Sequence, residues 1–214
     1  MRLPSVDTAL AHIRRDAAAG RFAQWGLSTL IDEFTGVPSI EKDLFDTLHR
    51  AAGIAAEFPI GNAGVLHVYG YWFSEVPTPF GYKRDRWADG QLAQALGFDA
   101  DAFLLEAESE SGTTELGSSA STLLERVTKA VLPALLAPPA DAITADVVVG
   151  EYRTRVIALA PLEGTPSALV YGIAPIAAPM NFRLVTTFPV ASDPAVMVAE
   201  CITDPRLHFN AIAL

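Results

Sequence analysis

Cysteine is almost missing from this chain of 214 residues: Cys201 stands alone. One thiol excludes an intrachain disulfide framework and any cysteine-rich metal site. Placed near the end of an apolar helical stretch, it reads as packing rather than as a nucleophile. Charge is sparse and one-sided, with 15 Lys and Arg against 25 Asp and Glu, a formal net charge of −10. Affinity for nucleic acid depends largely on neutralising phosphates with basic side chains, so this balance argues against DNA or RNA as a general partner. Solubility alone is sufficient reason for it. Long hydrophobic runs are lacking too. "AVLPALLAPPADAITA" is nearly uncharged but broken by prolines, and does not read as a membrane span. The opening "MRLPSVDTALAHIRRD" lacks the apolar region of a secretory signal. A cytoplasmic protein with no membrane partner is the expectation by elimination.

Catalytic signatures are also missing. There is no GxGxxG after a strand, no P-loop, no GxSxG elbow and no HExxH. The four histidines, His12, His49, His67 and His208, show no metal-ligand spacing, and His12 and His49 fall on helices expected to be partly exposed. Neither a metal nor a cofactor is expected. The acidic stretch with Glu106, Glu108 and Glu110 lacks the glycine-turned spacing of an EF-hand and reads as a solvated loop.

What is present is a globular composition, half of it apolar. It is long enough for one domain over 1–214 with a sizeable core. "APPADA" at 137–142 marks a possible sub-boundary. Before it, helices dominate. One is expected between Pro4 and Gly20 with Val6, Leu10, Ile13 and Ala17 on one face. A second carries Leu27, Leu30, Ile31 and Phe34 and ends at Gly36. A third opens at Pro38 with Ser39 as N-cap, with Ile40, Leu44, Leu48 and Ala51 on its buried side. "GVLHVYGYWF", rich in aromatic and β-branched residues, predicts a strand from about Gly64 to Phe73. A short helix is expected over Asp89 to Leu96, and another from Thr122 to about Leu136, kinked or ended by Pro133. After the boundary, "DVVVGEYRTRVIALA", "SALVYGIAP" and "NFRLVTTFPV" predict strands whose short connections demand an antiparallel meander. "SALVYGIA", apolar on both faces, is its central strand. "SDPAVMVAEC" closes as a helix with Asp193 as N-cap and Pro194 at its first position. The fold class is α+β: a helical N-terminal half with one strand, then a three- to four-stranded antiparallel sheet and a closing helix.

Three places could hold chemistry. On a strand, His67, Tyr69 and Tyr71 share a face, offering an imidazole for proton transfer and two phenols for orientation. In the following loop "PTPFGYKRDRW", Lys83, Arg84 and Arg86 could hold a carboxylate or phosphate, with Asp85 orienting one guanidinium. The plain alternative is an aromatic core strand and a solvated turn. In "EYRTRV", Glu151, Arg153 and Arg155 are expected on one strand face, within possible reach of Arg183. They could bind an anion or form an exposed charge ladder, and the ladder is favoured. In the tail, Arg206, His208 and Asn210 alternate with apolar residues as in a short strand whose polar side faces water.

"GNAGVLHVYGYWFS", "PTPFGYKRDRW", "RLVTTFPV" and "RLHFNAI" together resemble the landmarks of a group of short actinobacterial proteins, some of them called amino acid deaminases. The resemblance covers most of the chain and implies ammonia loss from an amino acid. It carries over no catalytic residue. Familiar deaminases use pyridoxal phosphate or a flavin, and here neither Lys42 nor Lys129 sits in a Schiff-base context. Helices followed by an antiparallel sheet bearing arginines are also similar to small metal-independent ribonucleases, against which the acidic charge counts. Two functions of different class remain. One is a small-molecule enzyme or binding protein for an amino-acid-like or carboxylate ligand. The other is a non-catalytic interaction module, with a homodimer as one form.

Overall fold

In the computed structural model, the described residues are 4–105, 121–190, 193–203 and 211–212. The chain starts with helix α1 (Val6–Ala18), a 3₁₀ turn (Arg21–Gln24) and a short strand β1 (Leu27–Thr29). Helix α2 (Lys42–Ala52) and strand β2 (Ile60–Asn62) follow. A π-helical segment (Gly64–Tyr69) then runs directly into a 3₁₀ turn (Gly70–Phe73). A two-residue hairpin, β3 (Pro77–Thr78) and β4 (Gly81–Tyr82), leads to the small helices α3 (Asp85–Ala88) and α4 (Gln91–Ala95). Helix α5 (Leu123–Leu136) precedes strands β5 (Ile143–Val149), β6 (Tyr152–Ala158), β7 (Ser167–Pro175) and β8 (Arg183–Val190). Helix α6 (Pro194–Thr203) and strand β9 (Ala211–Ile212) come last.

The α+β expectation holds. Strands β5-β6-β7-β8 form an antiparallel meander in sequence order, and a second small sheet has the order β2-β1-β9. One correction adds a strand: "DVVVGEYRTRVIALA" is two strands, because the chain turns at Gly150, whose φ of 59° suits glycine. Strand β7 is central, and every residue from Ser167 to Ala174 is buried. Helix α5 lies on the sheet face that carries Gly172, where a Cβ would stand 2.4 Å from a methyl of Leu135. Only a residue without a side chain lets helix and strand approach that closely. The α5 helix starts as expected, with the Thr122 hydroxyl accepting from the Glu125 amide, and it continues through Pro133 to Leu136. At the closing helix, the Asp193 carboxylate accepts from the Ala195 amide at 2.8 Å. One contiguous core runs from Ala9 and Phe45 through Leu124 and Val131 to Val170 and Val185.

Four sequence expectations fail, each for a physical reason. The stripe Leu27–Phe34 is not helical: it runs extended from Leu27 and turns at 33–35. Gly26, Ser28, Leu30 and Asp32 alternate as its buried side, and β1 pairs with β2 and β9. Helix α2 begins two residues later than expected, with Glu41 at its N-cap position. The Ser39 hydroxyl instead donates to the Leu30 carbonyl. The stretch 89–96 is interrupted by Gly90 at φ 70° and contributes only Gln91–Ala95 to a helix. The largest error is the strand over 64–73, which is helical. The Asn62 side chain accepts from the amides of Gly64 and Val65 and so starts the helical turn. All residues from Gly64 to Trp72 are buried, and a segment wrapped on every side gives no periodicity to separate helix from strand.

Candidate functional site

His67 sits on the π-helical segment and is 3% exposed. Its Nδ1 lies 2.6 Å from the carbonyl oxygen of Val185, and its Nε2 lies 2.9 Å from the hydroxyl of Ser28. A carbonyl can only accept, so Nδ1 carries the proton and Nε2 presents a lone pair to the Ser28 hydroxyl. The Val185 carbonyl has this role because of an irregularity in the sheet. The β7–β8 register jumps from Tyr171↔Thr186 to Gly172↔Leu184 and leaves Val185 without a partner on β7. A bulge of this kind re-aims backbone groups beside functional sites. Ser28 is supplied by β1, whose position is fixed by pairing with β2 and by the Gly26 amide donating to the Leu184 carbonyl.

Tyr71 lies one helical turn beyond His67, and the two rings stack at 4.7 Å with an interplanar angle of 22°. The Lys83 ammonium donates to the Tyr71 hydroxyl at 3.2 Å and pairs with the Asp32 carboxylate at 3.0 Å. Both charged side chains are almost wholly buried. Asp32 also accepts from the amides of Phe34 and Thr35, each at 3.0 Å. Burial pushes the Asp32 carboxyl up, but Lys83 and these amides together outweigh it and hold it below the usual range. Arg86, on α3, places its guanidinium 5.4 Å from the centroid of the Phe188 ring and forms no ion pair among the described residues. Burial lowers its proton affinity, against the attraction of Tyr71 and Asp32. Burial likewise pushes His67 down to about 3, helped by the positive fields of Lys83 and Arg86. The imidazole is therefore neutral, and the cluster Asp32–Lys83–Arg86 around it carries one positive charge in excess.

The other sequence-chosen residues lie elsewhere. Two positions apart on a helix, Tyr69 points away from His67 and Tyr71, so the expected three-residue row does not form. The Tyr69 hydroxyl donates to the buried Asp16 carboxylate, which also accepts from Thr122, while the Leu124 amide donates to Tyr69 at 3.3 Å. This second network ties α1 to the start of α5. Arg84 lies over the Tyr82 ring at 4.6 Å, with its Nε 3.7 Å from Asp85. Arg155 grips Asp146 through two bonds of 2.7 and 2.8 Å and donates to the Leu135 carbonyl at 3.0 Å. Arg153 reaches the same carboxylate at 4.0 Å. Glu151 sits in the turn and not on the strand with them. By the register, Arg153 and Arg155 share the Gly172 face, whereas Phe188, against which Arg86 rests, lies on the opposite face. His12 and His49 are buried, not partly exposed, since both are bound to backbone. The Leu123 amide donates to His12, and His49 bridges the Phe45 carbonyl and the Asn62 amide. Among the described residues no cluster of His, Cys, Asp or Glu could hold a metal ion. His208, Arg206, Asn210, Glu106, Glu108 and Glu110 lie outside the described residues.

A cavity of about 430 Å³ lies apart from His67, between Phe22, Trp25, Leu27 and Ile54, with Asn62 and Arg183 as its polar lining. Sequence reasoning missed Ser28 and Asp32. Both are polar residues on the buried side of an extended segment, where a count of apolar positions cannot register them. Their period-two spacing with Gly26 and Leu30 was the available signal. No protein-family model, curated protein or solved structure matches the chain.

Proposed function

We propose that the protein binds, and acts on, a small carboxylate-bearing molecule at the His67–Tyr71–Lys83–Arg86 cluster. The observation that carries this reading is the unbalanced charge: Asp32 neutralises Lys83, and among the described residues Arg86 has no carboxylate partner of its own beside a neutral imidazole. A half-buried guanidinium without an ion-pair partner favours an anionic ligand, and its planar fork matches a carboxylate in two bonds. In this reading Arg86 is the ligand-binding group, Tyr71 and Lys83 orient the ligand, and Arg84, paired with Asp85, stands at the periphery. His67 is the acid–base group, with Ser28 as the hydroxyl whose proton Nε2 can take. Burial is the main cause of the depression of His67, and a bound carboxylate would offset only the smaller part that comes from Lys83 and Arg86, so the imidazole gains some proton affinity when the site is loaded. Ammonia loss, which the resemblance implies, is one reaction compatible with a base poised in this way.

A thermal-melt screen against amino acids, keto acids and simple carboxylates tests the proposal, because a ligand that binds only the native state raises the melting temperature by mass action. Carboxylates should raise it where their amides do not, and Arg86→Met should abolish the rise while the variant stays folded. A panel in which no carboxylate raises the melting temperature would sink the reading.

One observation favours the interaction reading as a second. Strand β5 is the outer strand of the meander and exposes Ile143 and Val148, the latter to 58%. An outer strand of seven residues with apolar side chains turned to water is a template for pairing with a second copy. Sedimentation would report a dimer that Val148→Lys dissociates; a monomer at high concentration removes this reading.

A further inference from the structure

Two loops lead down to the candidate site, and they touch at both ends. The first is closed by a bridge between Ile31 and Pro38 and by the Asp32 amide donating to the Val37 carbonyl. Asp32 stands at its root and Phe34 at its tip. The second is the β3–β4 hairpin, with Pro77 opposite Tyr82 and Thr78 opposite Gly81. Phe80 is at its tip, where Gly81 turns at φ 85°, and Lys83 immediately follows the hairpin. At the roots, Asp32 and Lys83 form the buried ion pair. At the tips, Phe34 and Phe80 meet edge to face with ring centroids 5.2 Å apart, yet the two residues are 57% and 68% exposed.

Holding two phenyl rings together in water removes little apolar surface, so the pair leaves most of its hydrophobic contribution unused. The backbone at both tips is fixed by local hydrogen bonds. The Phe34 amide donates to Asp32, and the Phe80 amide donates to the Thr78 hydroxyl, which itself donates to the Gly81 carbonyl. Exposed aromatic side chains on fixed loop tips, rooted in a cationic site, have the form of an apolar recognition element.

We infer that Phe34 and Phe80 are the specificity-determining rim of the site, selecting carboxylates that carry an aromatic or bulky apolar group. The inference rests on the carboxylate reading above. The anion is held at the root by Arg86 beside the Lys83–Tyr71 pair. The apolar body lies against the two phenyl rings, which a small carboxylate such as propionate cannot reach. The substrate class is thus an aromatic or branched monocarboxylate, the aromatic amino acids and their keto acids included.

Calorimetric titration of the full chain with propionate and 3-phenylpropionate separates the two claims. The intact protein should bind 3-phenylpropionate at least about ten-fold tighter than propionate, as burial of a phenyl group warrants. Phe34→Ala combined with Phe80→Ala should reduce that ratio to about two or less, with propionate affinity and melting temperature unchanged, since both side chains are exposed. Phe80→Leu, which keeps an apolar tip, should retain part of the preference. If both acids bind through Arg86 with equal affinity, or the ratio survives the double substitution, the rim assignment is overturned while the carboxylate reading stands. If neither acid binds, both are overturned.

Discussion

The Asp32 carboxylate and the Lys83 ammonium stand 3.0 Å apart, with side chains only 5% and 6% exposed. Removing one partner strands the other charge out of water. Asp32→Asn or Lys83→Met is expected to destabilise the fold by about 3–5 kcal/mol, and the pair of changes together by clearly less than the sum. Denaturant unfolding of the three variants measures this. Single variants as stable as the parent would mean that the pair is solvated and the two loop roots are not joined as described.

His67 gives the stability a defined dependence on acid. Its pKa falls from an ordinary value of 6.5 to about 3 in the folded chain, so only the unfolded state takes up this proton between those limits. The associated stability is complete above pH 6.5 and is lost as the pH falls toward 3, roughly 5 kcal/mol in all. Asp32, held below its usual range, adds a loss in the same direction at still lower pH. Asp16, which burial pushes up against the bonds from Thr122, Tyr69 and Arg21, works the other way and gains as the pH falls. The comparison that isolates His67 is therefore the pH slope of unfolding in the parent and in His67→Gln. The parent should take up about one more proton on unfolding between pH 4 and 6. Equal slopes would show that His67 titrates normally.

Gly172 is required for the approach of α5 to the sheet. A Cβ at this position would lie 2.4 and 2.8 Å from the two methyls of Leu135 and 2.9 Å from the Arg183 carbonyl. Gly172→Ala is expected to cost about 1–3 kcal/mol. Combined with Leu135→Ala, the total should fall short of the sum of the two single changes, because shortening the leucine relieves the clash. Strict additivity in thermal or denaturant unfolding would show that Leu135 is not the obstacle.

How far the sequence could be read follows from what each segment faces. The meander was legible because "SALVYGIAP" and "RLVTTFPV" are strand-like in composition and joined by connections too short for crossovers. The α5 helix was legible over Thr122 to about Leu136, and Pro133 does not end it short of Leu136. "GVLHVYGYWF" misled because its β-branched and aromatic residues are strand-like in type, while burial on all sides removed the period. The start signal lay outside the run, in the Asn62 side chain. His67, Tyr71 and Arg86 could be chosen from residue chemistry alone. Their partners could not: Ser28 comes from a segment read as a helix, and the Val185 carbonyl is turned toward His67 by a bulge that no side-chain pattern encodes. Tyr69 was grouped with His67 by strand logic and is separated from it by helical geometry.

The central claim is that His67 and Arg86 share one ligand. Its most direct test is a carboxylate titration followed by nitrogen NMR of the two side chains. On this account the free protein shows His67 protonated at Nδ1 only. The imidazole and Arg86 guanidinium signals then move together with a single dissociation constant, and the imidazole shifts toward its protonated form. Signals that stay fixed while the carboxylate binds elsewhere, at Arg84, Arg153 or Arg183, would contradict it.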